Sequence, residues 1–163
     1  MKHTISVLVE NEFGVLSRIS GLFSGRGFNI ESLSVAPTMD PDLSRMTLVT
    51  RGDDRVLEQI TKQLNKLIST IKVVDFTDAE YIERELALIK VSTDAESRAE
   101  ALRIVDIFRA KVIDVTPKSY TIEITGAPAK VNGILELLRP MGIKEVVRSG
   151  PVAIGRGGKG VVG

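Results

Sequence analysis

The tightest constraint on this chain is a pattern that occurs twice: strand, helix, two strands, helix, strand, once in each half. Ile5 to Val9 is an apolar run of strand length, and Val15, Leu16, Ile19, Leu22 and Phe23 then recur at three- and four-residue steps, as on one helical face. Gly25-Arg26-Gly27 should stop that helix, because glycine adopts the left-handed cap that side chains resist. Phe28 to Val35 reads as extended, and its alternation slips by one position near Glu31-Ser32, which predicts a bulge. Pro37 to Leu43 has the composition of a hairpin connection, and Arg45 to Thr50 returns as a strand. Gly52-Asp53-Asp54 supplies a turn and an N-cap for a helix carrying Leu57, Ile60, Leu64 and Leu67, and Ile71 to Phe76 closes the half.

The second half repeats the order with little residue identity to the first. Leu86 to Val91 is a strand, Thr93-Asp94-Ala95-Glu96 reads as a capping box, and Ala99, Leu102, Val105 and Phe108 mark one face of the following helix. Val112 to Val115 and Tyr120 to Ile124 are strands, Val131, Ile134, Leu135 and Leu138 a helix ended by Pro140 and Gly142, and Ile143 to Val147 the last strand. The expectation is an α+β chain of two ferredoxin-like βαββαβ units, each an antiparallel four-stranded sheet covered by two helices. The units should span 1–77 and 80–150, followed by a glycine-rich tail over 151–163. The sheet face away from the helices needs cover, and a second copy of the chain would supply it.

Composition narrows the chemistry. Among 163 residues there are 22 Lys+Arg against 21 Asp+Glu, a formal charge of +1, which argues against broad electrostatic capture of nucleic acid. There is no cysteine and a single histidine, His3, so thiol catalysis, Cys-ligated zinc and His-rich zinc sites are excluded. No apolar run approaches the ~20 residues that cross a bilayer. A soluble, cytoplasmic protein without membrane attachment is expected.

The candidate motifs are few. In Asn11-Glu12-Phe13-Gly14-Val15-Leu16 the plain reading is a loop in which Asn11 caps, Gly14 turns and the apolar pair enters the core. The functional reading is that amides at the helix start receive a small carboxylate, aided by the helix dipole, with Gly14 allowing close approach. Asn29, at the start of the next strand, offers an amide that both donates and accepts, as a zwitterionic amino acid requires. Gly21, Gly25 and Gly27 do not form a dinucleotide-binding pattern, and Glu83 and Glu85 read as a solvated or interface charge pattern. Arg45, Arg109 and Arg148 read as structural or interfacial. The aromatic residues do not form the strand motif of an RNA-recognition sheet. Gly155 to Gly160 is not a phosphate loop, since Ala153 stands where its first glycine belongs and Gly160 follows Lys159. The stretch reads as a flexible tail, or as a segment that orders against a partner.

Ile5 to Asn11, Gly14 to Arg18 and Gly27 to Leu33 resemble an ACT domain, and more narrowly the small regulatory subunit of acetolactate synthase (acetohydroxyacid synthase). The likeness continues through Ser34 to Thr38, Leu43 to Thr47, Glu83 to Leu86, Ile107 to Ala110, Ile113 to Val115 and Arg148 to Gly150. The resemblance implies a non-catalytic subunit that binds and activates a catalytic large subunit. It also implies feedback inhibition by a branched-chain amino acid, usually valine. The N-terminal domains would dimerise with the effector between them. Asn11, Gly14, Val15 and Leu16 would come from one chain, and Asn29 and Ile30 from the other. Thiamine diphosphate, magnesium and FAD would belong to the catalytic subunit. Two alternatives stand beside this: an ACT sensor acting on another enzyme, and an acylphosphatase-type hydrolase casting Arg18 and Asn29 as its catalytic pair.

Overall fold

The structure, a computed structural model, describes residues 1–26 and 28–158, so Gly27 and the expected tail residues Lys159 and Gly160 lie outside it. The chain divides into two units: residues 1–82 with the described residues from Pro151 on, and residues 83–150. The first unit runs β1 (Lys2–Glu10), α1 (Val15–Gly25), β2 (Ile30–Pro37), β3 (Leu43–Arg51), α2 (Asp54–Lys66) and β4 (Thr70–Asp75). Its sheet has the order β2-β3-β1-β4, with every pairing antiparallel. Alternate residues Ile5, Val7 and Val9 of β1, with Met46 and Leu48 of β3, pack against Ile19 and Phe23 of α1 and Ile60 and Leu64 of α2. The expected bulge is present: the β2–β3 register shifts between Ile30 and Ser32. The Asp53 carboxylate accepts from the Val56 amide at 3.0 Å and so caps α2. Gly25 does not form a left-handed cap; beyond it the Phe28 amide reaches back to the Phe23 carbonyl at 2.9 Å.

The second repeat runs β5 (Tyr81–Ser92), α3 (Arg98–Ile107), β6 (Lys111–Thr116), β7 (Ser119–Gly126), α4 (Pro128–Leu138), a short 3-10 turn (Arg139–Met141) and β8 (Ile143–Arg148), with sheet order β6-β7-β5-β8. Three expectations need correction here. The buried face of α3 is Ala101, Ile104 and Val105, while Leu102 is 44% exposed. Both Ala99-Leu102-Val105 and Ala101-Ile104-Val105 satisfy helical spacing, and packing against the sheet chooses the second. The capping box is also displaced by one residue. The Asp94 carboxylate, not the Thr93 hydroxyl, accepts from the Glu96 and Ser97 amides at 2.9 and 2.8 Å, and the Ser97 hydroxyl accepts from the Asp94 amide at 2.9 Å. Glu85, expected in a solvated or interface charge pattern, is instead 4% exposed within its own unit and meets Arg148 at 2.6 Å, whose Nη1 also donates to Asn132.

The C-terminal stretch does not begin as a loose tail. Val152–Gly155 forms a ninth strand, β9, which belongs to the first unit. Within the first unit β9 also lies against the sheet face opposite the helices, the face for which a second copy was expected. The Ala153 amide donates to the Thr47 hydroxyl at 3.4 Å. Arg45 donates to the Ser6 hydroxyl and to the Ala153 carbonyl, each at 2.9 Å. Val152, Ala153 and Ile154 form a short apolar run in which only Ala153 is buried, and the neighbouring glycines mask it in a compositional reading.

Candidate functional site

The β1–α1 loop begins where β1 leaves the sheet. Asn11 is fixed to the β2–β3 hairpin: its amide N–H donates to the Asp42 carbonyl at 2.7 Å, and its side-chain Nδ2 to the Pro41 carbonyl at 3.0 Å. Gly14 is the N-cap of α1, at φ 85° and ψ −1°, the left-handed region that glycine enters without strain. It has no side chain to cap the helix, and no acid stands in the first turn. The positive end of the helix dipole therefore faces no carboxylate from the first turn of α1. Val15 turns into the core, Leu16 is half exposed, and Phe13 projects fully into solvent.

The loop's own charges are turned aside. The Ser69 hydroxyl donates to Glu12 Oε2 at 3.1 Å and accepts from Arg18 Nη1 at 3.1 Å, linking the loop to α1 and to the start of β4. A hydrogen bond with Glu10 lowers the Glu12 pKa, and the Ser69 hydroxyl and the Arg18 charge lower it further. The same hydrogen bond and the Glu12 charge raise the Glu10 pKa. A depression of about 450 Å³ beside the loop includes Glu12, Val15 and Arg18 but neither Gly14 nor Asn29.

Asn29 and Ile30 stand elsewhere. Ile30 pairs with Thr50, itself the partner of His3 near the start of β1, and the Asn29 carbonyl accepts from the Thr50 hydroxyl at 2.8 Å. Asn11 follows Glu10, whose partner is Leu43. Leu43 and Thr50 are seven residues apart along β3, so the two halves of the expected site are separated by ~23 Å at ~3.3 Å per residue. Within one chain the structure brings together Asn11, Gly14, Val15 and Leu16, and separately Asn29 and Ile30, at opposite ends of one sheet. Within one chain the same separation keeps Arg18, bonded to Ser69 at the loop end, apart from Asn29. Two features escaped the sequence reading, the Ser69 link and the Asn11 hairpin anchor, because each joins residues at least 30 positions apart.

Comparison with known proteins accounts for both repeats. Residues 5–72 match the family model described as AHAS small subunit-like ACT domain, and residues 84–157 match that of the small subunit of acetolactate synthase. The acetolactate synthase small subunit of Aquifex aeolicus is 56% identical over 156 residues, covering 95% of this chain and 81% of its own. That of Mycolicibacterium smegmatis is 54% identical over 159 residues, covering 98% and 94%. The crystal structure of the small subunit from Thermotoga maritima superposes with a TM-score of 0.88 at 42% identity, covering 98% of this chain and 99% of that one.

Proposed function

Because the chain belongs to the acetolactate synthase small-subunit family, we propose that it binds the catalytic large subunit of acetolactate synthase, raises its activity and confers feedback inhibition by valine. Thiamine diphosphate, magnesium and FAD are assigned to the catalytic subunit, and this chain serves the complex by sensing rather than by chemistry. It acts in the cytoplasm, in branched-chain amino-acid synthesis.

The observation that carries the sensing role is the separation of the two half-sites by the length of an edge strand. β2 borders the sheet, and an exposed edge invites pairing with another strand. Two chains joined antiparallel through β2, about a two-fold axis, set the start of one β2 beside the end of the other. The end of β2 adjoins the hairpin that anchors Asn11. Asn29 and Ile30 of one chain thereby reach the Gly14 loop of the second, and each dimer forms two shared sites. The effector carboxylate takes the amides at the start of α1, and Asn29 receives the remaining polar group. The apolar side chain lies near Leu16 and Ile30. An effector bound between chains ties its occupancy to their packing, and coupling of ~1–3 kcal/mol is the usual size of such regulation.

Calorimetric titration of the full chain tests this. Valine should bind, and leucine and isoleucine titrations rank the effectors. Asn29→Ala should weaken binding about tenfold, the usual worth of a hydrogen bond to a charged group. It should leave the fold intact, because only the backbone of Asn29 bonds to Thr50. Absence of binding by any of the three amino acids would remove the assignment.

A further inference from the structure

A second cleft, in the first unit, lies on the sheet face opposite the helices and away from the Gly14 loop. It measures about 520 Å³ and is walled by the sheet and the C-terminal segment, with Arg45, Lys72 and Arg156 bringing positive charge and Val74, Phe76 and Ile154 apolar surface. The register explains the geometry. Leu8 of the central strand β1 has Arg45 of β3 as its partner on one side and Lys72 of β4 on the other. Two cations thus flank Leu8, which is 2% exposed, two strand spacings apart on one face. From the C-terminal side, the Arg156 amide donates to the Glu80 carbonyl at 3.1 Å and places Arg156 at the rim.

None of these three cations makes an ion pair among the described residues, whereas Arg18, Arg51, Arg103, Arg139 and Arg148 each do. Arg45 is the telling case. It is half-buried, yet its guanidinium meets only neutral partners, the Ser6 hydroxyl and the Ala153 carbonyl. Burial without a counter-charge lowers its pKa, and a bound anion would relieve that penalty. Among the described residues the single carboxylate lining the cleft is Glu80, so three cations against one acid leave a local charge of +2. The cleft volume falls within the ~300–1,000 Å³ of small-molecule sites. Such a charge, beside an apolar wall, complements a dianion attached to a nonpolar group.

We propose that this cleft is a second ligand site, separate from the shared effector site, and that it takes a small phosphate monoester carrying an apolar substituent. Lys72 and Arg156 would hold the phosphoryl oxygens above Arg45, while Val74 and Ile154 would contact the substituent.

The test is calorimetry on the full chain with phenyl phosphate, inorganic phosphate and phenol as three separate probes. Phenyl phosphate should bind with a Kd of millimolar or below, inorganic phosphate about tenfold more weakly, and phenol without measurable heat. Lys72→Gln and Arg156→Gln should each weaken phenyl phosphate about tenfold, and Glu80→Gln should tighten it. Lys72, Arg156 and Glu80 are exposed, so these variants should keep the wild-type circular dichroism and melting curve. Valine should not compete. The proposal is overturned by any one of four results: no phenyl phosphate binding, binding indifferent to both cation variants, inorganic phosphate binding as tightly as the ester, or displacement by valine.

Discussion

At the scale of single residues, Gly14 combines two demands that its sequence context only half discloses. The loop's position before an amphipathic helix was legible. Its positive φ was not, because that depends on how the chain leaves β1 and enters α1. The conformation changes how the residue must be tested. Space is not the difficulty, since a Cβ added at Gly14 meets nothing within 4 Å, but any side chain there strains the backbone. Gly14→Asp and Gly14→Asn share that cost of about 1 kcal/mol, and both residue types tolerate the left-handed region. Their difference isolates the charge. Gly14→Asp should abolish valine inhibition of the reconstituted enzyme while preserving activation; Gly14→Asn should retain inhibition with a shifted midpoint. Equal inhibition curves for Asp and wild type would remove the loop from the site. Glu85 shows the opposite limit of sequence reading. Its neighbours Glu83 and Arg84 suggested a solvated or interface charge pattern, whereas its partner Arg148 lies 63 positions away in the sequence. Arg148→Met strands the carboxylate and should destabilise the chain by ~3 kcal/mol, read from denaturant unfolding; a change below ~0.5 kcal/mol would show that the pair contributes little.

Between elements, the starts of α1 and α3 differ in a way that separates the two repeats. Both follow the first strand of a βαββαβ unit, but α1 opens on a bare glycine and α3 follows a turn that its own chain has already capped. The Asp94 carboxylate already takes the Glu96 and Ser97 amides in the turn before α3, so the second repeat is not expected to take the effector. Hydrogen bonds from Ser97, first its amide and then its hydroxyl, and from the Glu96 amide lower the Asp94 pKa. A depressed pKa in the folded state means that the stabilisation is complete above the unfolded-state pKa and is lost as pH falls through the folded one. Asp94→Ala should therefore lower the melting temperature by a few degrees near neutrality. The gap should close in acid, and valine binding should stay unchanged; a gap independent of pH would contradict the charged cap. Strand and helix order was legible in both repeats, because hydrophobic periodicity reports which face is buried. Ambiguity arose where two faces shared a residue, as at Val105, and where glycines concealed a short strand, as at β9.

For the whole molecule, the account requires two chains for every effector site. Sedimentation of the full chain should give a dimer at micromolar concentration, and a monomer would contradict the shared site. A sharper form mixes two inactive variants. Gly14→Asp destroys the loop half and Asn29→Asp the strand half, so neither homodimer should bind valine. After random exchange, about half of the dimers are mixed, each with one intact site, which restores about a quarter of the wild-type sites. No restoration would place both halves within one chain, against the ~23 Å between them. The dimer was inferred from sequence because a ferredoxin-like sheet leaves a face and an edge uncovered. The structure assigns part of the face to β9, leaving the edge of β2 as the stronger argument. The most direct test of the regulatory role is the turnover of an acetolactate synthase catalytic subunit, measured alone, with this chain, and with this chain plus valine. The expected result is a rise on adding the chain and a fall toward the unassisted rate on adding valine. Turnover indifferent to the chain, or activation that valine leaves untouched, would contradict it.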